Sequence, residues 1–144
     1  MALALNLVLE NILVSAKERM VLIPNFLDFA PTWNRGVSFS LFSQGETAGR
    51  YILIAVLAAI VVGVGIMAWR AGNNLTAMGY GLVVGGALGN LLDRSRYGAV
   101  FDYLFLHLGR EPLFVFNFPD AAITMGVVLL IADNLMAGQS ATAH

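Results

Sequence analysis

Residues 51–69 read YILIAVLAAIVVGVGIMAW and contain no Asp, Glu, Lys or Arg. An α-helix needs about 20 predominantly apolar residues to cross the roughly 30 Å hydrocarbon core of a bilayer, so Tyr51 to Trp69 predicts a membrane-spanning helix. The same criterion selects Leu75 to Leu92 and Pro119 to Met136, the latter bounded by Asp120 and Asp133. Leu3 to Ala16 is a shorter fourth candidate, apolar apart from Asn6, Glu10, Asn11 and Ser15. Four spans would place both termini on one side and the long connections Lys17–Arg50 and Asp93–Phe118 together on the other.

Composition agrees with that class. The 144 residues are 58% hydrophobic and 12% charged, against roughly 25% charged residues in an ordinary soluble domain. The expectation is an α-helical membrane protein forming a single domain over residues 1–144. A formal net charge of −1 gives no basic face for a phosphate backbone, which excludes nucleic acid as a partner. With no cysteine in the chain, disulfides, thiolate metal sites and a Cys nucleophile are excluded. No Lys/Arg-led leader with a small-residue cleavage site is visible, so the first apolar segment is expected to be retained.

The long connections carry a second periodicity. Val37-Ser38-Phe39-Ser40-Leu41 alternates apolar and polar side chains, the pattern of a half-buried strand. Phe101, Tyr103 and Phe105 alternate against Asp102 and Leu104, and Phe114, Phe116 and Phe118 against Val115 and Asn117. Aromatic rings favour the membrane interface, where Trp33 and Trp69 also fit. Within the third span, Gly81, Gly85 and Gly89 recur every four residues, with Gly86 and Ala87 beside them. That ladder is expected to be a seam for close helix packing. It leads to Asn90, Asp93 and Arg94, whose three- and four-residue spacing groups them at the end of the helix.

Acids close to membrane depth must face protein or water and find a partner, so each is a candidate functional group. Asp102 lies within an aromatic, period-two segment. Asp120 follows Pro119 at the start of the last span, with Asn117 ahead as a candidate N-cap, which is also ordinary helix-start chemistry. Asp93 beside Arg94 and Arg96 has a plain alternative as a solvated charge cluster. Two carboxylates that converge on one water would share a proton, because like charges held close do not both ionise. His107 and His144 have no ligand pattern around them, and no metal or other cofactor is implied.

Taken in order, Asn34-Arg35-Gly36 with Phe39-Ser40, Gly89-Asn90-Leu91-Leu92-Asp93-Arg94, Gly98 to Asp102, and Phe116-Asn117-Phe118-Pro119-Asp120 resemble the lipoprotein signal peptidase family, or signal peptidase II. The resemblance covers about residues 5 to 137. It implies four transmembrane helices with a small extramembrane β-cradle. It also implies an aspartyl endopeptidase of the bacterial inner membrane that cleaves diacylglyceryl-modified prolipoproteins just before the lipidated cysteine. By position, Asp102 and Asp120 look like the family's catalytic pair. Asn34, Gly36, Asn90, Asp93, Arg94 and Asn117 look like its supporting and substrate-binding residues. The implied partners are these prolipoproteins and membrane lipids, with the active site on the periplasmic side.

One departure lies in the first span, where the family usually has Asp-Gln-x-Thr-Lys and this chain has Glu10-Asn11-Ile12-Leu13-Val14. Glu10 reads as a structural polar contact rather than as part of the chemistry. Counting positive charge puts the long connections in the cytoplasm, since Lys17, Arg19, Arg35, Arg50, Arg94, Arg96 and Arg110 lie there and Arg70 alone lies with the termini. The resemblance puts the connections outside, and the arginines inside the motifs favour following it. Ser38, Ser40 and Ser43 have no paired base, which disfavours serine chemistry. Two other classes compete. A non-catalytic scaffold binding lipidated peptides would need the aromatic groove but not both acids. A proton-relay transporter would want polar residues at mid-membrane, where Tyr51 to Trp69 has none.

Overall fold

A computed structural model describes residues 19–35 and 46–141. Three helices of 24 residues each run through it: α1 (Glu46–Trp69), α2 (Asn74–Tyr97) and α3 (Phe118–Ala141). At 1.5 Å per residue each is roughly 36 Å long, and all three are apolar enough over a span length to cross a membrane. They correspond to the segments expected at Tyr51–Trp69, Leu75–Leu92 and Pro119–Met136, with α2 continuing through Asp93 and Arg94 to Tyr97. The fourth expected span, Leu3–Ala16, lies outside the described residues, as do Glu10 and the strand expected at Val37–Leu41.

Four antiparallel strands complete the fold: β1 (Met20–Ile23), β2 (Leu27–Asn34), β3 (Val100–Leu108) and β4 (Glu111–Phe116), in the spatial order β1-β2-β3-β4. The aromatic period-two stretches are β3 and β4. The first hairpin turns at Pro24-Asn25, with Phe26 N–H donating to the Ile23 carbonyl at 3.1 Å. Asn25 there has φ 61°, a left-handed conformation that Asn tolerates better than most residues. The sheet's core is Phe29, Phe101 and Tyr103 with Leu104 packed on it.

Antiparallel helices bring the sheet and the α2–β3 turn to one end of the bundle. Gly98 ends α2 at φ 73°, its N–H donating to the Arg94 carbonyl at 3.0 Å. The left-handed conformation suits Gly, which has no Cβ. Arg50, in the first turns of α1, donates from Nε to the Arg94 carbonyl at 3.2 Å and from its terminal nitrogen to the Ser95 carbonyl at 2.7 Å. A guanidinium thus satisfies carbonyls that the helix end leaves unpaired. At the opposite end, Asn73 caps α2 by accepting from Thr76 N–H at 2.8 Å. Asp133 of α3 accepts from the Asn73 amide and the Thr76 hydroxyl.

The α2–α3 seam uses other glycines than those expected. A Cβ on Gly81 or Gly85 would meet nothing within 4 Å. A Cβ on Gly86 would collide with the Pro119 carbonyl oxygen and come 2.8 Å from Ile123 Cγ1, and one on Gly126 would come 2.5 Å from the Gly79 carbonyl oxygen. The seam is therefore Gly79 and Gly86 of α2 against Gly126 of α3. Gly89, the third rung of the expected ladder, is buried. The four-residue spacing was real, but spacing does not say which side of a helix meets its neighbour.

Thermal unfolding of the purified protein separates the two assignments. Gly86→Ala is expected to cost about 1–3 kcal/mol through overpacking against backbone, whereas Gly85→Ala and Gly81→Ala stay within about 0.5 kcal/mol of the parent.

Candidate active site

Asn117 is the one residue between the end of β4 and the start of α3, and it is fully buried. Its side-chain oxygen accepts from Asp120 N–H at 2.9 Å, while its own N–H donates to Asp120 Oδ2 at 3.2 Å. This is a reciprocal capping box, built here from Asn and Asp. The N-cap expected at Asn117 is thus present, and the helix-start chemistry that could have explained Asp120 away is what fixes its carboxylate. Pro119, in the first turn, has no N–H for the helix to satisfy.

The Asn117 amide nitrogen then reaches three acceptors: Asp102 Oδ1 at 3.0 Å, Asn90 Oδ1 at 3.1 Å and the Phe101 carbonyl at 3.3 Å. One buried residue therefore touches both expected catalytic carboxylates, Asp102 through its side chain and Asp120 through its backbone. The remaining oxygens are held by other amides. Asn34, the last residue of β2, donates to Asp102 Oδ2 at 3.0 Å, and Asn90 of α2 donates to Asp120 Oδ1 at 2.7 Å.

Asp102 is 2% exposed. Burial pushes its carboxyl up, the Asn34 hydrogen bond lowers it, and the Asp120 charge raises it again, leaving it at about 6. A carboxyl raised in this way beside a second carboxylate can serve as one half of an acid/base pair. Arg94 lies near enough to act electrostatically on Asp120, Asp102 and Asp93.

Asp93 is not a solvated surface charge. It is 1% exposed, and its Oδ2 accepts from Phe101 N–H at 3.3 Å. The reason lies in the ladder. β4 pairs with β3 only from Leu104 onward, whereas β2 continues alongside to Val100. Phe101 thus lacks a neighbouring strand on its β4 side, and Asp93 and Asn117 take its N–H and carbonyl. Two side chains substitute for the missing strand beside Asp102.

Of the residues expected at the site, Asp102, Asp120, Asn34, Asn90, Asp93, Arg94 and Asn117 are thus brought together. Gly36 lies outside the described residues. Two residues had not been singled out. Tyr103, 1% exposed, accepts from Phe118 N–H through its hydroxyl at 3.3 Å and so steadies the first turn of α3; burial pushes that phenol up to about 12. Arg50 ties α1 to the turn below Asp93 and Arg94. Neither has a local signal, because each acts on backbone far away in sequence.

Comparison with known proteins bears on the family and the fold. The family described as Signal peptidase (SPase) II matches residues 3–136. Lipoprotein signal peptidases of Methylorubrum extorquens (strain PA1) and Methylobacterium radiotolerans are 54% and 50% identical over 110 residues, 76% of this chain. The match spans 64% of the length of each. Two solved structures of a bacterial membrane enzyme superpose with TM-scores of 0.75 and 0.77 at 23% identity. They cover 96% and 93% of this chain, and 85% and 87% of their own. At that identity the likeness bears on fold alone. The family match and the curated relatives decide the question: the chain belongs to the signal peptidase II family.

Proposed function

We propose that this chain is a membrane aspartyl endopeptidase that removes the signal peptide from diacylglyceryl-modified prolipoproteins, cutting before the lipidated cysteine. The active site would face the periplasm across the bacterial inner membrane. The observation that carries the reading is the joining of Asp102 and Asp120 through Asn117 at the end of the helices, with all four carboxylate oxygens held by amide donors. A scaffold for lipidated peptides would have no use for two acids so placed. Family membership and the lipoprotein signal peptidase relatives support the substrate class.

Chemistry follows from the different surroundings of the two acids. Asp102, whose carboxyl is raised to about 6, is the group that carries the proton in the reacting form, and Asp120 is its partner base. Asp120 takes a proton from water as the water oxygen attacks the scissile carbonyl carbon, and Asp102 gives its proton to the carbonyl oxygen. The tetrahedral intermediate then collapses. Asp120 returns its proton to the departing amide nitrogen as the carbon–nitrogen bond breaks, and Asp102 recovers its proton from the hydroxyl. Both acids end as they began, with no covalent enzyme intermediate. Asn34 and Asn117 hold Asp102 in place for these transfers, while Asn90 and the Asn117 N–H hold Asp120.

Purified protein in detergent with a diacylglyceryl prolipoprotein, scored by mass spectrometry for the released peptide, tests the activity directly. Asp102→Asn and Asp120→Asn are each expected to lower kcat on the order of a hundredfold to ten-thousandfold while substrate still binds. Near-normal turnover by either would remove the dyad and favour the scaffold.

The pH dependence has a defined sign. As the proton donor, Asp102 works only while protonated, so kcat/KM of the free enzyme declines as pH rises through about 6. Asn34→Ala removes a contact that lowers the Asp102 value and is expected to move that limb upward. Stability carries the same signature. Because the folded value lies above the ordinary 3.8, the native state binds more protons, and this group's contribution is present below about 3.8 and lost as pH rises through about 6. A limb that moved downward in Asn34→Ala would contradict the assignment.

A further inference from the structure

We infer that Arg19, Asp28 and His107 form a polar triad, with Asp28 and His107 buried and Arg19 at the surface, that acts as a remote positioning device for Asp102, by fixing the register in which Asn34 reaches it. This rests on the reading of Asp102 as a reacting group. The observations begin at the far end of the β2–β3 ladder, where Asp28 is 2% and His107 7% exposed.

Arg19 donates from Nε to Asp28 Oδ2 at 2.7 Å, and its terminal nitrogen lies 2.6 Å from the same oxygen. Asp28 Oδ1 faces His107 Nε2 at 3.3 Å, an ion-pair approach without an aligned hydrogen bond. On the other side of the ring, His107 Nδ1 is 2.8 Å from the Gly109 carbonyl oxygen. A carbonyl only accepts, so Nδ1 carries a proton. The other ring nitrogen, Nε2, faces the Asp28 carboxylate. Burial raises the Asp28 carboxyl, but Arg19 and His107 outweigh it and hold it below the usual carboxylate value.

The Phe105 ring closes the group, stacked on His107 at 5.1 Å with the Arg19 guanidinium 4.9 Å from its centroid on a cation–π contact. The charged groups facing His107 are therefore Asp28 from β2 and, across it, Arg19. Arg110, in the adjoining turn, and Glu111, at the start of β4, are exposed. At the same end, Gly109 N–H donates to the Asn25 carbonyl and His107 N–H to the Phe26 carbonyl, each at 3.0 Å.

The connection to Asp102 is one of strand geometry. Asp28 sits opposite Phe105 and diagonal to His107, while Asn34 sits opposite Val100 and diagonal to Asp102. Phe105 and His107 have odd numbers and Val100 and Asp102 even ones, so on β3 the two pairs point to opposite faces. On β2, however, Asp28 and Asn34 are an even number of positions apart, which in a regular strand would place them on one face. The register shift between Phe29 and Thr32 resolves this. It inserts one residue on β2, at Ala30-Pro31, where Pro is tolerated because a bulge leaves a ladder position unpaired.

A slip of one residue would turn Asn34 away from Asp102. The bulge permits such a slip, and the triad opposes it by pinning β2 to β3 before the bulge. Removing one member leaves a buried charge without its partner, which is costly, and frees β2 to relax along β3.

The test is an infrared titration of the Asp102 carboxyl in the whole protein without substrate, with the signal assigned by its loss in Asp102→Asn. Asn34→Ala is expected to raise the midpoint by on the order of half a pH unit, the worth of one hydrogen bond. His107→Ala and Asp28→Asn are expected to raise it in the same direction, and His107→Ala combined with Asn34→Ala no further than Asn34→Ala alone. Should a buried variant fail to fold, Arg19→Gln, at a side chain 59% exposed, gives the same comparison. An unmoved midpoint in folded triad variants would reduce the triad to a fold-stabilising contact and overturn the inference, as would additive shifts in the double variant. A protein that cleaved no prolipoprotein would remove the peptidase reading and leave this titration standing.

Discussion

A single buried amide, that of Asn117, decides where everything else in the site must be. It sits where a strand becomes a helix, so its backbone caps α3 while its side chain reaches across to β3. An amide nitrogen has only two protons, yet three acceptors surround it: a carboxylate, an amide oxygen and a backbone carbonyl. The sharing holds only if α2, β3 and the start of α3 keep their places together. Burying so many polar groups is costly unless all are partnered. The partners here are the same residues to which the proposed chemistry is assigned.

Most of the remaining fold keeps those elements in place. The Gly79, Gly86 and Gly126 seam lets α2 and α3 approach closely, which sets Asn90 against Asp120. Arg50 satisfies the carbonyls at the end of α2, below Asp93, and Gly98 turns the chain at once into β3. Tyr103 accepts from the first helical N–H of α3 and packs among Phe29, Phe101 and Phe118. Apolar residues on these helices such as Val56, Ile60 and Ile131 remain exposed, which suits helices apolar enough to cross a membrane.

The spans were legible because the bilayer imposes a length and an apolarity that almost nothing else imitates. Asn117 was legible because Asn-x-x-Asp before an apolar run is a capping signature. Distant pairings were less legible. Met20 to Ile23 is apolar at every position and shows no alternation, and Ala30-Pro31 interrupts the alternation of β2, so the first hairpin had only Pro24-Asn25 to mark it. Asp93 beside two arginines has the look of a surface charge; what buries it is the early end of β4, which no local pattern records. His107 has no ligand spacing around it because its partner, Asp28, lies on another strand.

The central proposal is that Asp102 holds its proton to higher pH than an ordinary carboxyl, because it is buried and because a second carboxylate, Asp120, stands close by. Comparing the titration of the Asp102 carboxyl in the parent protein and in Asp120→Asn, by isotope-edited infrared spectroscopy, tests this most directly. The account predicts a carboxyl that stays protonated to about pH 6 in the parent. In Asp120→Asn it should ionise at lower pH, still above the ordinary 3.8 because burial remains. A carboxyl that ionised near 3.8 in the parent, or that did not respond to Asp120→Asn, would contradict it.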